Sequence, residues 1–378
     1  MIRRFLSGRA PVRVQPYFGY RNHNALVVSA RALRRREPVF DQNGFWGGLA
    51  TMIGQYASRE VAGLDVQLEF RTGAGKAVRH TATTCQEGFA RFEIPFADRC
   101  DLPANTGWER ATLSWHADGS GSMAEKTAFI LAPGSSAGLG VISDIDDTIL
   151  ETGITGSVRA IAKNWRRVMA QMPGERIVVP GAPDFYAALS GDSVGGATGA
   201  AGAGTSLHSG GPVARPRPIF YVSSSPWNLF SYLVAYMKGR GLPLGPIMLR
   251  DWGLNRETFG SASHGAHKRA AIDGILATYP DMKFARIGDD SQGDLTAFAD
   301  VAAHTPHRVR AVFIRKVGEA MSPEELAAEQ SLKAAGIPLW MGEGYEEGRK
   351  FLASIGLLED TEAKNIVKSV GKPRTESA

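Results

Sequence analysis

With 378 residues, 43% of them hydrophobic and 9% aromatic, the chain is long enough for two domains of ordinary size, each with its own core. A net charge of +5 favours anionic partners without choosing between phosphate esters, acidic lipid and nucleic acid. Two cysteines, Cys85 and Cys100, exclude a disulfide framework, and no Cys/His cluster has zinc spacing. The basic start MIRRFL lacks the apolar stretch of a signal peptide, and no run reaches the roughly 18 apolar residues of a spanning helix. The sequence therefore predicts a cytoplasmic protein, soluble or peripheral on a membrane.

Residues 1–137 read as an all-β domain. Residues 25–30 (ALVVSA) form a short, partly β-branched apolar run. Residues 64–70 (LDVQLEF) and 92–96 (FEIPF) alternate apolar and polar side chains, the period-two mark of a half-buried strand. Pro95 assigns the second of these to an edge or a bulge. Strands at 113–115 and 127–131 close the set, with one short helix expected near 49–62. Short strands between Gly-rich turns predict a β-sandwich. His23, His80 and His116 have no partners at metal spacing, and Arg34-Arg35-Arg36 reads as a solvated turn. Residues 131–137 (LAPGSSA) form a linker by composition.

From residue 138 the pattern changes. The stretch GLGVISDIDDTILET is an apolar run that ends in three carboxylates, Asp144, Asp146 and Asp147. Asp144 and Asp146 lie two apart, so they are either an acidic turn or a pair that converges on one metal or phosphate. Residues 157–169 carry Val158, Ile161, Trp165 and Val168 at helical spacing, which predicts either a core helix or a cap that meets anionic membrane. Residues 185–189 belong to a further helix. Residues 190–217 are mostly Gly, Ala and Ser, cannot bury enough to offset their ordering entropy, and predict a disordered insertion. They lack the Lys-Ser or Lys-Thr of a phosphate-binding P-loop.

Three more apolar strands follow, each ending in polar residues. Residues 219–222 run into Ser223-Ser224-Ser225-Pro226-Trp227, residues 247–249 into Arg250-Asp251, and residues 284–287 into Gly288-Asp289-Asp290-Ser291 and Asp294. His264-Gly265-Ala266-His267-Lys268 opens a helix, and a last strand runs from 309 to 314. Strands alternating with helices predict an α/β, doubly wound, mostly parallel sheet over 138–318. The ligand crevice of such a sheet lies at the carboxyl ends of its strands, so the acidic pair, the serine turn and the second acidic cluster gather at one rim. Carboxylates with an oxygen-rich turn suit a hard cation such as Mg²⁺, and a lysine balances charge on a transferring phosphoryl group. Residues 319–378 read as a C-terminal extension of helix, short strand and helix, with a disordered last dozen.

These residues carry a family resemblance. Asp144-Ile145-Asp146-Asp147-Thr148 is similar to the Asp-x-Asp-x-Thr signature of haloacid dehalogenase-like phosphatases; Ser223, Lys268 and the Asp289/Asp294 pair follow in the order of their remaining motifs. At finer grain SDIDDTI, FYVSSSPWNL, LRDWGL, HK and IGDD…D resemble the catalytic domain of phosphatidate phosphatases of the actin-patch-protein type. The resemblance implies Asp144 as nucleophile, Asp146 as general acid/base, and Ser223 and Lys268 on the phosphoryl oxygens. It implies Mg²⁺ held by Asp144, the Asp146 carbonyl and Asp289, with Asp294 supporting the metal or Lys268. It further implies an anionic phospholipid substrate and peripheral membrane contact, with no nucleic-acid partner expected. The family's Gly-Asp-Ser-Gly is replaced here by Gly288-Asp289-Asp290-Ser291, which leaves open whether Asp290 shares the metal. Asp147 has no assigned role. His264 and His267 are open between substrate contact and polar residues of a helix start, Trp227 between acyl-chain contact and a packed core aromatic, and Arg250 between phosphate and an acidic partner. A phosphatase of a soluble or nucleic-acid phosphomonoester, or a non-catalytic adaptor on the same fold, are the alternatives.

Overall fold

The fold is taken from a computed structural model, which describes residues 11–34, 59–73, 75–117, 122–150, 178–191, 211–250, 261–291, 293–318 and 320–358. The expected helix at 157–169, the middle of the Gly-rich insertion and the last dozen residues lie outside these.

The N-terminal part is built of strands β1 (Val12–Pro16), β2 (Gly19–Arg21), β3 (Ala25–Arg34), β4 (Arg59–Glu60), β5 (Asp65–Arg71), β6 (Ala77–Thr83), β7 (Phe89–Pro95), β8 (Gly107–His116) and β9 (Met123–Ala132). Alternation does what period-two patterning dictates: Val66, Leu68 and Phe70 of β5 point inward and Asp65 and Gln67 outward. Phe92 and Ile94 of β7 do the same, and β7 pairs with β3 alone, so Pro95 ends an edge strand. The Asn22 carboxamide oxygen accepts the N–H groups of Asn24 (2.7 Å) and Ala25 (2.7 Å), turning β2 into β3.

The hydrogen bonding of this part does not divide into two separate sheets. Hydrogen bonding runs through one nine-stranded sheet in the order β1-β3-β2-β9-β8-β5-β6, with β4 and β7 also on β3. The cause is the ten-residue β3, which pairs with β2 through Leu26 and Val27 and with β1 from Ala30 to Arg34. Since β2 runs parallel to β9, the two arms become one sheet around one core, with Val28, Phe92, Leu68, Leu113 and Ile130 among its members. The predicted helix near 49–62 is also corrected at its described end, where Arg59–Glu60 pairs with Leu33 and Arg34 as a strand.

The second sheet contains β10 (Leu139–Ser143), β11 (Ile219–Pro226), β12 (Ile247–Arg250), β13 (Lys283–Asp289), β14 (Val309–Arg315) and β15 (Leu339–Gly342). Its order is β12-β11-β10-β13-β14-β15, and every pairing is parallel. Successive residues of its central strands point into different layers. Val141, Tyr221, Ile287 and Phe313 pack with α1 (Ala182–Leu189), α2 (Phe230–Gly239) and α6 (Tyr345–Ser354). Ile142, Phe220, Phe284 and Val312 pack with α3 (Ser261–Thr278), α4 (Asp294–His304) and α5 (Pro323–Ala334). Burial on both faces explains why these strands read as continuous apolar runs. Residues 320–358 belong to this same layered structure, because β15 extends the sheet and α6 packs on α1. Residues 211–217, the far end of the Gly-rich insertion, are held: Arg217 donates to the carbonyls of Leu189 (3.0 Å) and Leu357 (2.8 Å), and Thr106 Oγ1 to that of Pro216 (2.7 Å).

An aromatic seam joins the two sheets. Tyr17 lies 4.4 Å from Trp227 and 4.9 Å from Phe230 between ring centroids, Phe18 lies 5.3 Å from Phe230, and Tyr20 lies 5.7 Å from Phe220. Arg31 donates to Asn228 Oδ1 (2.5 Å) and Asn22 Nδ2 to the Thr278 carbonyl (2.7 Å). Trp227 is therefore a seam residue in this structure. Truncating Phe230 to Ala should cost about 3–5 kcal/mol by emptying this contact, read as a lower urea midpoint.

Candidate active site

The chain starts its second sheet in the middle. After β10 it winds outward through β11 and β12, then returns to β13 on the other side. That reversal makes the carboxyl ends of β10 and β13 the topological switch point, the place where open α/β sheets bind their ligands. Asp144 is the first residue beyond β10 and still donates its N–H to the Ile287 carbonyl (2.9 Å). The chain then tightens into a loop whose apolar residues Ile145, Ile149 and Leu150 face the core. Asp147 sits at φ 57°, the sole non-glycine with positive φ among the described residues. Its N–H reaches the Leu150 carbonyl (2.9 Å), and its own carbonyl accepts from Arg315 (2.7 Å). Asp147 is thus the left-handed corner of the loop, a conformation Asp tolerates better than most residues.

Asp144, Asp289 and Asp294 come together there, each buried, with one oxygen from each within 4.8 Å of the others. Lys268 inserts its ammonium among them, 2.9 Å from Asp144 Oδ1 and 2.6 Å from Asp294 Oδ1. It lies well inside α3, which begins at Ser261 rather than just before the lysine as the sequence suggested. Thr148 Oγ1 lies 3.4 Å from Asp144 Oδ2 and 3.3 Å from Asp289 Oδ2, so one hydroxyl spans two carboxylates. Asp289 Oδ1 takes the N–H (2.6 Å) and hydroxyl (2.5 Å) of Ser291, and the Asp289 N–H donates to Asp294 Oδ2 (3.2 Å). Gly288 makes room for this: a Cβ there would stand 2.5 Å from Asp294 Oδ2 and 2.6 Å from Asp294 Cβ.

The carboxylate of Asp146 turns the other way and is half-buried. Its Oδ2 accepts from Ser223 Oγ (2.7 Å) and Ser225 Oγ (2.9 Å), and Ser223 Oγ accepts the N–H of Ser225 (2.9 Å). The side chains of Asp144, Lys268, Asp289 and Asp294 are thus assembled as one group, while Asp146 and Ser223 form a second pair beside it. Asp290 belongs to neither. Its Oδ1 accepts the N–H groups of Val317 (2.7 Å) and Gly318 (3.0 Å), so it ties down the loop after β14. Arg250 ends β12 as a buried guanidinium, lowered by burial. Half-buried His267 is lowered by burial and then by the charges of Arg250 and Lys268. The side chain of His264 lies outside the described residues.

The electrostatics are those of excess negative charge in a dry place. Burial pushes the Asp144 carboxyl well above its ordinary range, opposed by Lys268 and reinforced by Asp294 and Asp289. Asp289 is pushed up to about 7, by burial first and then by Asp294. Burial works against the Lys268 charge, but Asp144, Asp294 and Asp289 more than offset it, so the ammonium is raised. Three carboxylates against one ammonium leave a deficit of two positive charges when all are ionised. A divalent cation held by oxygen ligands corrects that deficit, and the donor set is of the hard-cation kind.

Several contributors escape sequence reasoning. Ser225 shares Asp146 with Ser223, and its signal was its place in the same serine turn. Tyr345 donates to the Thr148 carbonyl (2.9 Å), Arg315 to that of Asp147, and the Tyr186 hydroxyl lies 2.6 Å from Ser143 Oγ; nothing local marks these three.

Residues 139–316 match the sequence model described as phosphatidate phosphatase APP1, catalytic domain. The "Phosphatidate phosphatase APP1" of Saccharomyces cerevisiae is 31% identical over 188 residues, 50% of this chain and 27% of that protein. The "Uncharacterized protein C29B5.04c" of Schizosaccharomyces pombe is 26% identical over 182 residues, 48% of this chain and 25% of that protein. This chain thus spans about a quarter of the length of these relatives. A β-glucuronidase structure from Parabacteroides merdae aligns over 88% of this chain and 40% of that one at 9% identity, with a TM-score of 0.27, too low to bear on the fold. Over residues 139–316 the chain is thus similar to the catalytic domain of phosphatidate phosphatase APP1.

Proposed function

We propose that the protein is a Mg²⁺-dependent phosphatidate phosphatase with a haloacid dehalogenase-like catalytic domain, hydrolysing phosphatidate to diacylglycerol and phosphate through an aspartyl-phosphate on Asp144. The observation that carries this is the buried Asp144–Asp289–Asp294 group with Lys268 at the switch point of the matched domain. Asp144, Asp289 and Asp294 would hold the metal, with the Asp146 carbonyl. When bound, Mg²⁺ supplies positive charge to the phosphoryl oxygens and keeps the Asp144 carboxylate ionised.

Asp144 attacks phosphorus as the bond to the glyceride oxygen breaks, and Asp146 gives that oxygen its proton. Asp146 then takes a proton from the water that attacks the same phosphorus. The bond to Asp144 breaks, inorganic phosphate leaves, and both aspartates return to their starting states. Asp146 suits this task because it is half-buried, within reach of leaving group and water, and oriented by two serine hydroxyls. Asp144 suits the other, on the dry floor beside the lysine. Lys268 offsets charge on the transferring group.

Among the described residues no helix is long and apolar enough to cross a membrane. Cys85 and Cys100 are free thiols, in keeping with a reducing, cytoplasmic setting. A peripheral encounter with anionic lipid is the corresponding proposal, supported by the net charge of +5. A phosphatase panel tests the substrate: phosphatidate in mixed micelles, water-soluble phosphomonoesters and a 5′-phosphorylated oligonucleotide. Release from phosphatidate above the others supports the lipid reading. Release from the soluble esters alone sinks it, and no release at all favours an adaptor.

The metal reading has its own signature. Asp289 binds its proton more tightly folded than unfolded, so the stability it contributes is present below about pH 4 and is lost as pH rises toward 7. The metal-free protein is therefore expected to be less stable at pH 7.5 than at pH 5.5, by roughly 2 kcal/mol, and to melt at a lower temperature. Mg²⁺ should reverse this and release protons on binding, both measurable by melting curves and by calorimetry in buffers of different ionisation heat.

A further inference from the structure

Tyr345 lies 29 residues beyond the family-matched segment, at the first turn of α6, and yet it reaches the acidic loop. It is fully buried, stacked on Phe185 (4.6 Å, 22°) and near Trp340 (5.8 Å, 27°). Packing alone would be served by phenylalanine, because burying a hydroxyl costs free energy unless it is hydrogen-bonded. The Tyr345 hydroxyl is bonded, to the Thr148 carbonyl at 2.9 Å. Thr148 is the residue whose own hydroxyl spans Asp144 and Asp289. Next to it, Arg315 joins the carbonyls of Asp147 (2.7 Å) and Glu343 (3.3 Å), tying the same loop to the chain entering α6. Beneath, Ser143 Oγ donates to the Asp144 carbonyl (2.7 Å) and meets the Tyr186 hydroxyl (2.6 Å). The backbone carrying the aspartates is thus pinned at three carbonyls.

We infer that Tyr345 is a positioning residue for the metal, fixing Thr148 and through it the spacing of Asp144 and Asp289. The inference rests on the reading of these carboxylates as the Mg²⁺ site. It makes the C-terminal segment a support of the metal site, because the hydroxyl that sets the loop comes from outside the matched segment. Tyr345 touches neither substrate nor metal. Its influence passes through the Thr148 backbone, as outer partners tune metal affinity elsewhere.

Calorimetric titration of Mg²⁺ into the full-length wild type, Tyr345→Phe, Leu352→Ala and Asp289→Asn tests this. Tyr345→Phe keeps the stacked ring and removes one oxygen. It should weaken Mg²⁺ binding roughly 10-fold or more and raise the Mg²⁺ needed for half-maximal phosphate release by the same factor, with kcat at saturating Mg²⁺ within a few-fold of wild type. Leu352 is buried in the same core, so Leu352→Ala should lower the melting temperature with Mg²⁺ affinity intact. Tyr345→Phe with wild-type Mg²⁺ affinity, or Leu352→Ala losing as much affinity as Tyr345→Phe, overturns the inference. Loss of binding in Asp289→Asn alongside wild-type binding by Tyr345→Phe overturns the inference and leaves the metal reading standing. A wild type that binds no Mg²⁺ sinks both.

Discussion

Replacing Asp144 by Asn is expected to lower phosphate release roughly 10⁴-fold or more while leaving a folded protein, because losing a covalent nucleophile removes a path that the rest of the site cannot supply. The amide matches the carboxylate in size and takes one negative charge out of a group that holds three carboxylates against one ammonium. Burial already pushes the Asp144 carboxyl toward its neutral form, so the metal-free variant should melt no lower than wild type at pH 7.5. Activity and stability are therefore expected to move apart. Assays with and without Mg²⁺, run beside melting curves, check both. An Asn variant as active as wild type would remove Asp144 as nucleophile.

Lys268→Met should hurt on both counts. The ammonium is within 3 Å of two buried carboxylates, and taking it away leaves like charges facing one another with little solvent. Breaking such a buried pair from one side costs about 3–5 kcal/mol, far above the worth of a surface salt bridge. Phosphate release should fall at least about 10²-fold, since the charge that offsets the transferring group is gone. The stability deficit has a pH signature. Without the lysine the carboxylates bind protons more readily, so the gap to wild type should be smaller at pH 5 than at pH 7.5, and Mg²⁺ should narrow it at the higher pH. A methionine variant as stable as wild type at every pH would show that the lysine is not what offsets this charge.

The positions of the clustered carboxylates were legible because each lies at or just beyond the end of an apolar strand, and a parallel sheet collects its strand ends at one rim. Asp144 after β10, Ser223 in β11 and Asp289 in β13 obey that rule. Lys268 was legible by its place among the motifs but not by its local setting, two turns into α3. The contacts that hold the site were not legible. Tyr345 and Thr148 are 197 positions apart and Arg315 and Asp147 are 168 apart, and no periodicity relates them. The sequence leaves the part played by Asp290, next to Asp289, open, and only the loop folded over it shows its use. In the N-terminal part the alternation in β5 and β7 gave the strands and their faces. It says nothing of which strands bond to which, and the length of β3 links into one hydrogen-bonded sheet strands that alternation alone leaves unconnected.

The transfer of phosphate to Asp144 is the centre of this account, and acid quenching tests it directly. Wild type is mixed with Mg²⁺ and phosphatidate labelled in its phosphate, then stopped in acid, where acyl phosphates survive. Label should be recovered covalently on the peptide containing Asp144, and none on the Asp144→Asn protein. Phosphate release by wild type with label-free protein at every quench time would contradict the account.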